Sequence, residues 1–153
     1  MDDSLADAAA VHPAERHRAR EAALRMLYQL EIGRGEVAEV LESYWTIEFD
    51  ESESAAPEVV AFARGLVEGT AAALGTIDPL IAASAEHWKI GRMAAVDRQV
   101  LRMAVYELRR GTTPAAVVIN EALELARAYS GEDAVGFVNG VLDAVRRRLA
   151  QDD

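Results

Sequence analysis

The sequence contains no cysteine, a single lysine and few aromatic residues. Without cysteine, the chain can form no disulfide, cysteine-ligated zinc finger or thiol nucleophile. No apolar run approaches the ~20 residues that are needed to cross a bilayer. The first ten residues carry three Asp and no Lys or Arg, which is unlike the basic start of a secretory signal. We therefore expect a soluble, cytoplasmic protein that does not associate with membranes.

Motifs that are typical of enzymes are also missing. The chain has no G-x-S-x-G elbow, no phosphate-binding P-loop and no G-x-G-x-x-G, the patterns that indicate the common nucleophile and nucleotide sites. Its histidines lack the companions that a closed metal site of about four ligands requires. Glu121 and Glu124 could form an acid–base pair one helical turn apart, but a solvated helix face explains them better. We expect no enzymatic activity, no metal and no cofactor.

The net charge of −10 is distributed unevenly. Eight acidic residues and no basic residue lie between Glu36 and Glu58, so the rest of the chain is near −2. Between Arg16 and Arg25 there are four Arg and one His against a single acid. Because salt limits the reach of distant charge to ~8 Å, an acidic protein can still bind RNA through a basic surface. Arg suits bidentate phosphate contacts, although a genome-wide preference for Arg codons explains its abundance equally well.

Helical periodicity recurs along the chain, and no alternating strand pattern is found. Prolines and glycines mark the helix ends, with an acidic, Ser-rich loop over 50–56. Seven helices are predicted. The first three run from Pro13 to Ile32, from Val37 to Ile47, and from Pro57 to Gly75. The fourth begins at Pro79, with Asp78 as its cap, and Gly91 separates it from the fifth, which ends at Gly111; the last two run from Pro114 to Gly131 and from about Asp133 to Leu149.

Seven helices joined by short loops predict an all-α fold of two packed helical bundles. We expect residues 1–12 to form a disordered acidic tail. Residues 13–150 then form one helical domain, which is divided near Gly75 into a three-helix half (13–75) and a four-helix half (76–150).

The segment Arg16-His17-Arg18-Ala19-Arg20 stands at the start of the first predicted helix. Arg16 and Arg20 are four residues apart and share a helix face. Cations are unfavourable at a helix N-terminus, and a broken local rule often marks a functional surface. The segment therefore indicates binding of an anionic polymer, and a solvated basic face is the alternative of equal weight.

Three further residues are unusual for their helices. Tyr28 lies about two turns beyond Arg20 and could be an aromatic platform for RNA bases, although packing at the core edge is the favoured local interpretation. Asn139 and Gly140 are poor residues for the middle of a helix. They predict a specific hydrogen bond and a close helix crossing, while the neighbouring Phe137 is expected at a rim.

Together these segments resemble the NusB family of transcription antitermination factors. The resemblance covers about residues 14–147. It is carried by Arg16–Glu21, Leu27-Tyr28, Val96-Asp97-Arg98, Leu101–Leu108, Val118–Ala122, Glu124–Arg127 and Phe137–Asp143. It implies an all-α fold and pairing with NusE, a small-subunit ribosomal protein, to bind the boxA element of nascent RNA. The pair would act with RNA polymerase and other Nus factors, so that transcription of ribosomal RNA operons passes terminators. Some members form homodimers that cover the RNA surface.

The resemblance also implies roles for single residues. The Arg-rich start of the first helix would contact RNA, with His17 standing where an Arg is usual. The residues implied in RNA binding are Arg16, His17, Arg18, Arg20, Tyr28, Asp133 and Phe137. Asp97 matches an acidic position on the side that faces NusE, and the acidic block from Glu36 to Glu58 is expected to face away from RNA.

Two other functions compete with this interpretation. The same domain occurs in a family of RNA cytosine methyltransferases, but the Gly-rich cofactor loop of such enzymes is absent from this sequence. The stronger alternative is a protein–protein interaction module, or an autoinhibited homodimer, without direct RNA binding.

Overall fold

The computed structural model describes residues 12–48, 56–86 and 89–151. In these ranges the chain forms seven α-helices, one 3-10 turn and no β-strand. The helices are α1 (Pro13–Gly33), α2 (Val37–Glu48), α3 (Pro57–Ala72), α4 (Leu74–Ser84), α5 (Ala95–Arg110), α6 (Ala115–Tyr129) and α7 (Glu132–Gln151), with the 3-10 turn at Ile90–Arg92. The predicted all-α fold is confirmed. The acidic tail before His12, residues 50–55 of the predicted loop, and His87 lie outside the described residues.

The chain divides into two compact units, Met1–Ala71 and Ala72–Asp153, which we call unit 1 and unit 2. Unit 1 holds α1, α2 and all but the last residue of α3, and unit 2 holds α4 to α7. The division falls shortly before Gly75, where the sequence predicts the boundary between a three-helix and a four-helix half.

The core of unit 1 follows the helical spacing of its apolar residues. Its α1 contacts α2. The apolar residues that recur at helical spacing on α1 are buried, except for the half-buried Leu30; they are Ala19, Ala23, Met26 and Leu27. The residue that ends α1 in a left-handed conformation is Arg34 (φ 54°). The glycines on either side of it do not adopt this conformation. The buried apolar residues of unit 1 are Ala19, Ala22, Ala23, Leu24, Met26, Leu27, Val40, Leu41, Tyr44, Val59, Ala63, Leu66 and Val67.

In unit 2, α5 contacts α4, α6 and α7, and α7 also contacts α4 and α6. The ends of α6 and α7 follow the prediction to within two residues, but α3 ends at Ala72 rather than Gly75, and α4 ends at Ser84 rather than Gly91. Gly111 adopts a left-handed conformation (φ 73°) directly after α5, which glycine does without the steric cost that a Cβ would bring. The α5 core residues Val100, Leu101 and Val105 are fully buried, as their spacing predicts.

The start of α4 differs from the prediction. The N–H groups of Thr76 and Ile77 both donate to the carbonyl of Ala73, so the helix has already begun when the chain reaches Asp78. Asp78 is therefore not a cap, and Pro79 lies inside the helix. The mistake arises because Asp-Pro has the composition of a cap followed by a first helical residue, and the turn before it contains no stronger signal.

The side chain of Asp78 joins α4 to α5 instead. The Arg102 Nε donates to Asp78 Oδ1 at 2.9 Å, and the Arg102 Nη2 donates to Asp78 Oδ2 at 2.8 Å. Both side chains are partly shielded from solvent, with exposed fractions of 13% for Arg102 and 29% for Asp78. This parallel two-bond geometry is the strong form of an Arg–carboxylate pair.

Within the described ranges, no single helix is long and apolar enough to cross a membrane, although α3 and α4 taken together reach the length and composition of such a span.

Candidate nucleic-acid interface

The Arg-rich start of α1 is held in place by a histidine cap. The Ala14 N–H donates to His12 Nδ1 at 3.1 Å, and Pro13 occupies the first helical position. The cap supplies an acceptor to one of the N–H groups that a helix leaves unsatisfied at its start. The orientation of the following arginines is therefore set by a regular helix rather than by a loose end.

The arginines of this segment differ sharply in exposure. Arg18 is exposed and Arg16 is half-buried, whereas Arg20 is one of the largest fully buried side chains and is 2% exposed. The ζ carbon of Arg20 lies 5.3 Å from the centroid of the Phe62 ring, and that of Arg16 lies 5.8 Å from the same centroid. Both distances fall within the range of a cation–π contact.

Arg20 was predicted to contact RNA, but its burial removes it from the accessible surface. Its side chain packs inside unit 1 against Phe62 of α3 and is not accessible to an RNA phosphate in this structure. Helical spacing correctly places Arg16 and Arg20 on one face of α1. It does not show which of the two side chains another helix buries. The surface that remains is formed by Arg16, His17 and Arg18.

His17 is also half-buried, and it faces the acid one turn further along α1. Its Nε2 lies 3.7 Å from Glu21 Oε1, so the two form an ion pair when the imidazole is protonated. This geometry places an acidic neighbour beside the position where the NusB resemblance leads one to expect an Arg. His17 thus brings less positive charge to this surface than an Arg would.

An exposed stripe continues along α1 beyond the basic segment. Arg18, Arg25, Tyr28 and Ile32 are all exposed and recur at helical spacing, so they share one face of the helix. Tyr28 is 40% exposed and Ile32 is 60% exposed. Tyr28 therefore does not pack into the core, and the structure gives it the accessibility that a base-stacking platform requires.

In unit 2, Asp133 and Phe137 lie on the first two turns of α7. Asp133 is exposed and Phe137 is half-buried, as expected for a rim position. The buried stripe of α7 consists of Val138, Val141, Leu142 and Val145. The two predicted RNA-facing residues thus flank the core of unit 2 without belonging to it.

Asn139 and Gly140 also differ from the prediction, because both are exposed. A Cβ added at Gly140, or at Gly136 one turn earlier, would meet nothing within 4 Å. Gly140 therefore makes no close helix crossing, and Asn139 lies on the exposed face of α7. Asn139 and Gly140 are unfavourable in a helix and make no compensating packing contacts. Their presence is therefore not explained by a contribution to the stability of unit 2.

Replacing Gly136 or Gly140 with alanine is expected to raise the free energy of unfolding by about 0.5–1 kcal/mol each, since alanine loses less backbone entropy in a helix. Urea titration of each variant measures the change. Gly131→Ala is the matched control, because the positive φ of 119° there strains any other residue and should reverse the sign. A loss of stability in all three variants would contradict the open surroundings of Gly136 and Gly140.

Asp97, the residue predicted to face a protein partner, lies in the first turn of α5. Its side chain is half-buried, and its Oδ1 atom is buried without a hydrogen-bond partner among the described residues. The next residue, Arg98, donates from Nη1 to the carbonyls of Ile90 at 2.7 Å and Met93 at 3.1 Å. Arg98 thereby ties the 3-10 turn before α5 to the helix that carries Asp97.

Phe62 is the residue of this region that sequence reasoning missed. It lies beside the buried face that Ala63 and Val67 form on α3, and a lone Phe near the middle of a helix gives no signal of contact with distant arginines. The exposed Ile32 was missed for a similar reason, since it falls at the end of a helix whose apolar residues point mainly inward.

Comparisons with known proteins identify what this arrangement resembles. The NusB family model matches residues 17–147. A transcription antitermination protein NusB from Solibacter usitatus is 48% identical over 139 residues, which cover 90% of this chain and 92% of that protein. The solved structure of T. maritima NusB has 36% identity and a TM-score of 0.76, with 86% of this chain and 90% of that chain covered.

A second solved structure contains the antitermination factors NusB and NusE in complex with dsRNA. Its matching chain has 25% identity and a TM-score of 0.78, and the match covers 90% of this chain and 99% of that chain. Helical architecture, motif positions and sequence identity therefore agree, and the chain belongs to the NusB family.

Proposed function

We propose that this protein is a non-enzymatic transcription antitermination factor that pairs with the ribosomal protein NusE and binds boxA RNA. The observation that carries the proposal is the exposed face of α1, on which Arg18 and Arg25 accompany the exposed ring of Tyr28. Arg and an accessible aromatic ring are the groups that bind phosphates and stack on bases of single-stranded RNA. The similar solved structure with NusB, NusE and dsRNA supports both partners.

The overall acidity of the chain does not oppose this function. Exposed charges that are separated by more than a Debye length of ~8 Å are largely screened at physiological salt. Eight of the 26 acidic residues lie between Glu36 and Glu58, and the basic residues that we assign to RNA lie along α1 from Arg16 to Arg25. A local positive surface is sufficient to attract the phosphate backbone.

The residues that we assign to RNA contact differ in the strength of their support. Arg18 and Tyr28 are exposed, Arg16 and His17 are partly accessible, and Arg20 contributes by holding unit 1 together. In unit 2, Asp133 and Phe137 remain proposed RNA contacts. Asp97, which is half-buried in the first turn of α5, is the proposed contact to NusE.

The wider role follows from the family. We place the complex of this protein, NusE and boxA RNA in the cytoplasm, on RNA polymerase together with other Nus factors, where it would carry transcription of ribosomal RNA operons past terminators. A homodimer that covers the RNA surface is the corresponding inactive form.

The alternative is a protein–protein interaction module without direct RNA binding. It is favoured by one observation, the exposed apolar side chain of Ile32 one turn beyond Tyr28. A Tyr–Ile pair on a helix face is as well suited to a second copy of the chain as to an RNA base.

Binding to a short boxA-like RNA, measured with and without purified NusE between about 50 and 200 mM salt, tests the proposal. We expect wild-type protein to prefer boxA over a scrambled strand and to bind more tightly with NusE. Arg18→Gln is expected to weaken binding to every RNA by about tenfold, since it removes one charge-assisted contact. It should also reduce the log–log salt slope by roughly 0.7, the contribution of one phosphate on a single strand.

Arg64→Gln is the matched control. Arg64 is an exposed arginine of α3 that pairs with Glu68, and it carries the same charge without belonging to the proposed interface. Equal losses in the two variants would mean that only net charge matters. Wild-type protein that prefers no RNA in either condition would contradict the RNA role, and a concentration-dependent dimer abolished by Ile32→Ser would then support the alternative.

A further inference from the structure

One aromatic ring lies against two arginines of the proposed RNA surface. The guanidinium carbons of Arg16 and Arg20, one helical turn apart on α1, lie 5.8 Å and 5.3 Å from the centroid of Phe62 on α3. A guanidinium near the face of a ring is attracted by the negative potential of that face. All three residues belong to unit 1.

Arg20 is the fixed member of this group. It is 2% exposed, and its guanidinium lies against the ring of Phe62. A ring that packs against a buried side chain is restrained by that contact. The contact with Arg20 therefore restrains the ring that also lies against Arg16.

Arg16 is the member that reaches solvent. It is half-buried, as is Phe62, whereas Val59, Ala63 and Leu66 of α3 are buried. The ring of Phe62 thus lies at the margin of the core, beside the half-buried side chain of Arg16. A long arginine side chain loses rotamer freedom when it binds a phosphate, and a contact that already restrains the side chain reduces this loss.

We infer that the ring of Phe62 positions the Arg16 guanidinium for contact with an RNA phosphate, an inference that rests on the proposed function. Phe62 touches no RNA in this arrangement and is a positioning residue. Its contribution depends on the π-face, so an apolar side chain of similar volume cannot replace it.

The test is a double-mutant cycle in the full-length protein, with boxA-like RNA as the probe. Phe62→Leu keeps apolar volume and removes the ring, and we expect it to weaken RNA binding about threefold to tenfold. Phe62→Tyr keeps the ring and should bind within about twofold of wild type. In an Arg16→Gln background, Phe62→Leu should have no further effect, whereas in an Arg18→Gln background its effect should be undiminished, because Arg18 is not a partner of the ring.

The stability of each variant is measured, so that a loss of positioning can be distinguished from a loss of folding. All affinities are taken at a temperature where urea titration shows each variant to be folded. Site-specific 3,5-difluorophenylalanine at position 62 keeps the shape of the ring and weakens its negative face, so it should reduce affinity even if Phe62→Leu fails to fold.

Additive effects of Phe62→Leu and Arg16→Gln, or full affinity with the fluorinated ring, would overturn the inference while leaving the proposed function intact. Absence of RNA binding by wild-type protein would instead remove the proposed function, and the inference with it.

Discussion

Arg20→Ala is expected to lower the free energy of unfolding by about 2–4 kcal/mol. The side chain is large and 2% exposed, and its guanidinium packs against the ring of Phe62. Truncation would leave a cavity inside unit 1 and remove the cation–π contact at the same time. Urea-induced unfolding followed by circular dichroism measures the change.

Arg18→Ala, two residues earlier on the same helix, is the control. Arg18 is exposed, so its removal should change stability by no more than about 0.5 kcal/mol. If the two variants unfolded at the same urea concentration, the result would contradict the burial of the Arg20 side chain. The result also bears on binding assays, because weak RNA binding by an Arg20 variant would report loss of folded protein rather than loss of a phosphate contact.

Arg102→Ala is expected to lower the free energy of unfolding by about 2 kcal/mol. It removes a two-bond pair that links α4 to α5 and leaves the partly shielded carboxylate of Asp78 without its partner. A hydrogen bond to a charged group contributes about 1.5–3 kcal/mol, and the 29% exposure of Asp78 places the expected value towards the lower end. A double-mutant cycle with Asp78→Ala should give a coupling energy of about 1–2 kcal/mol.

The pair Arg127–Glu132 provides the comparison. Its N–O distance of 2.8 Å equals that of the Asp78–Arg102 pair, but its side chains are 51% and 74% exposed. Solvent-exposed pairs contribute little, so Arg127→Ala should cost no more than about 0.5 kcal/mol. Similar losses for Arg102→Ala and Arg127→Ala would contradict the view that shielding, rather than distance, gives the first pair its strength.

The helices themselves were largely predictable because their signals are local. The spacing of Val100, Leu101 and Val105 indicates the buried face of α5, and Gly111 ends the helix by adopting a conformation that glycine favours. The start of α4 was not predictable in the same way. Asp78 looks like a cap in the sequence, and its true role depends on Arg102, which lies 24 residues away.

The proposed interface was predictable only as a set of residues. The sequence indicates that Arg16, Arg18 and Arg20 stand together at the start of a helix, and both its spacing and the family resemblance point to Tyr28. Neither tells which arginine α3 covers, because that depends on the position of Phe62 in a different helix. The wrong prediction of a close contact at Gly140 has a related cause, since glycine in a helix is compatible both with tight packing and with open solvent.

Arg98 has a consequence for how quickly a partner would bind at the site that we propose beside Asp97. By donating to the carbonyls of Ile90 and Met93, it fixes the chain before α5 to the first turns of that helix. A surface that is already ordered loses little conformational entropy when it docks, and its encounter rate is not limited by a slow rearrangement. Recognition at this end of α5 should therefore resemble the meeting of two rigid bodies, in which affinity is set mainly by the lifetime of the complex.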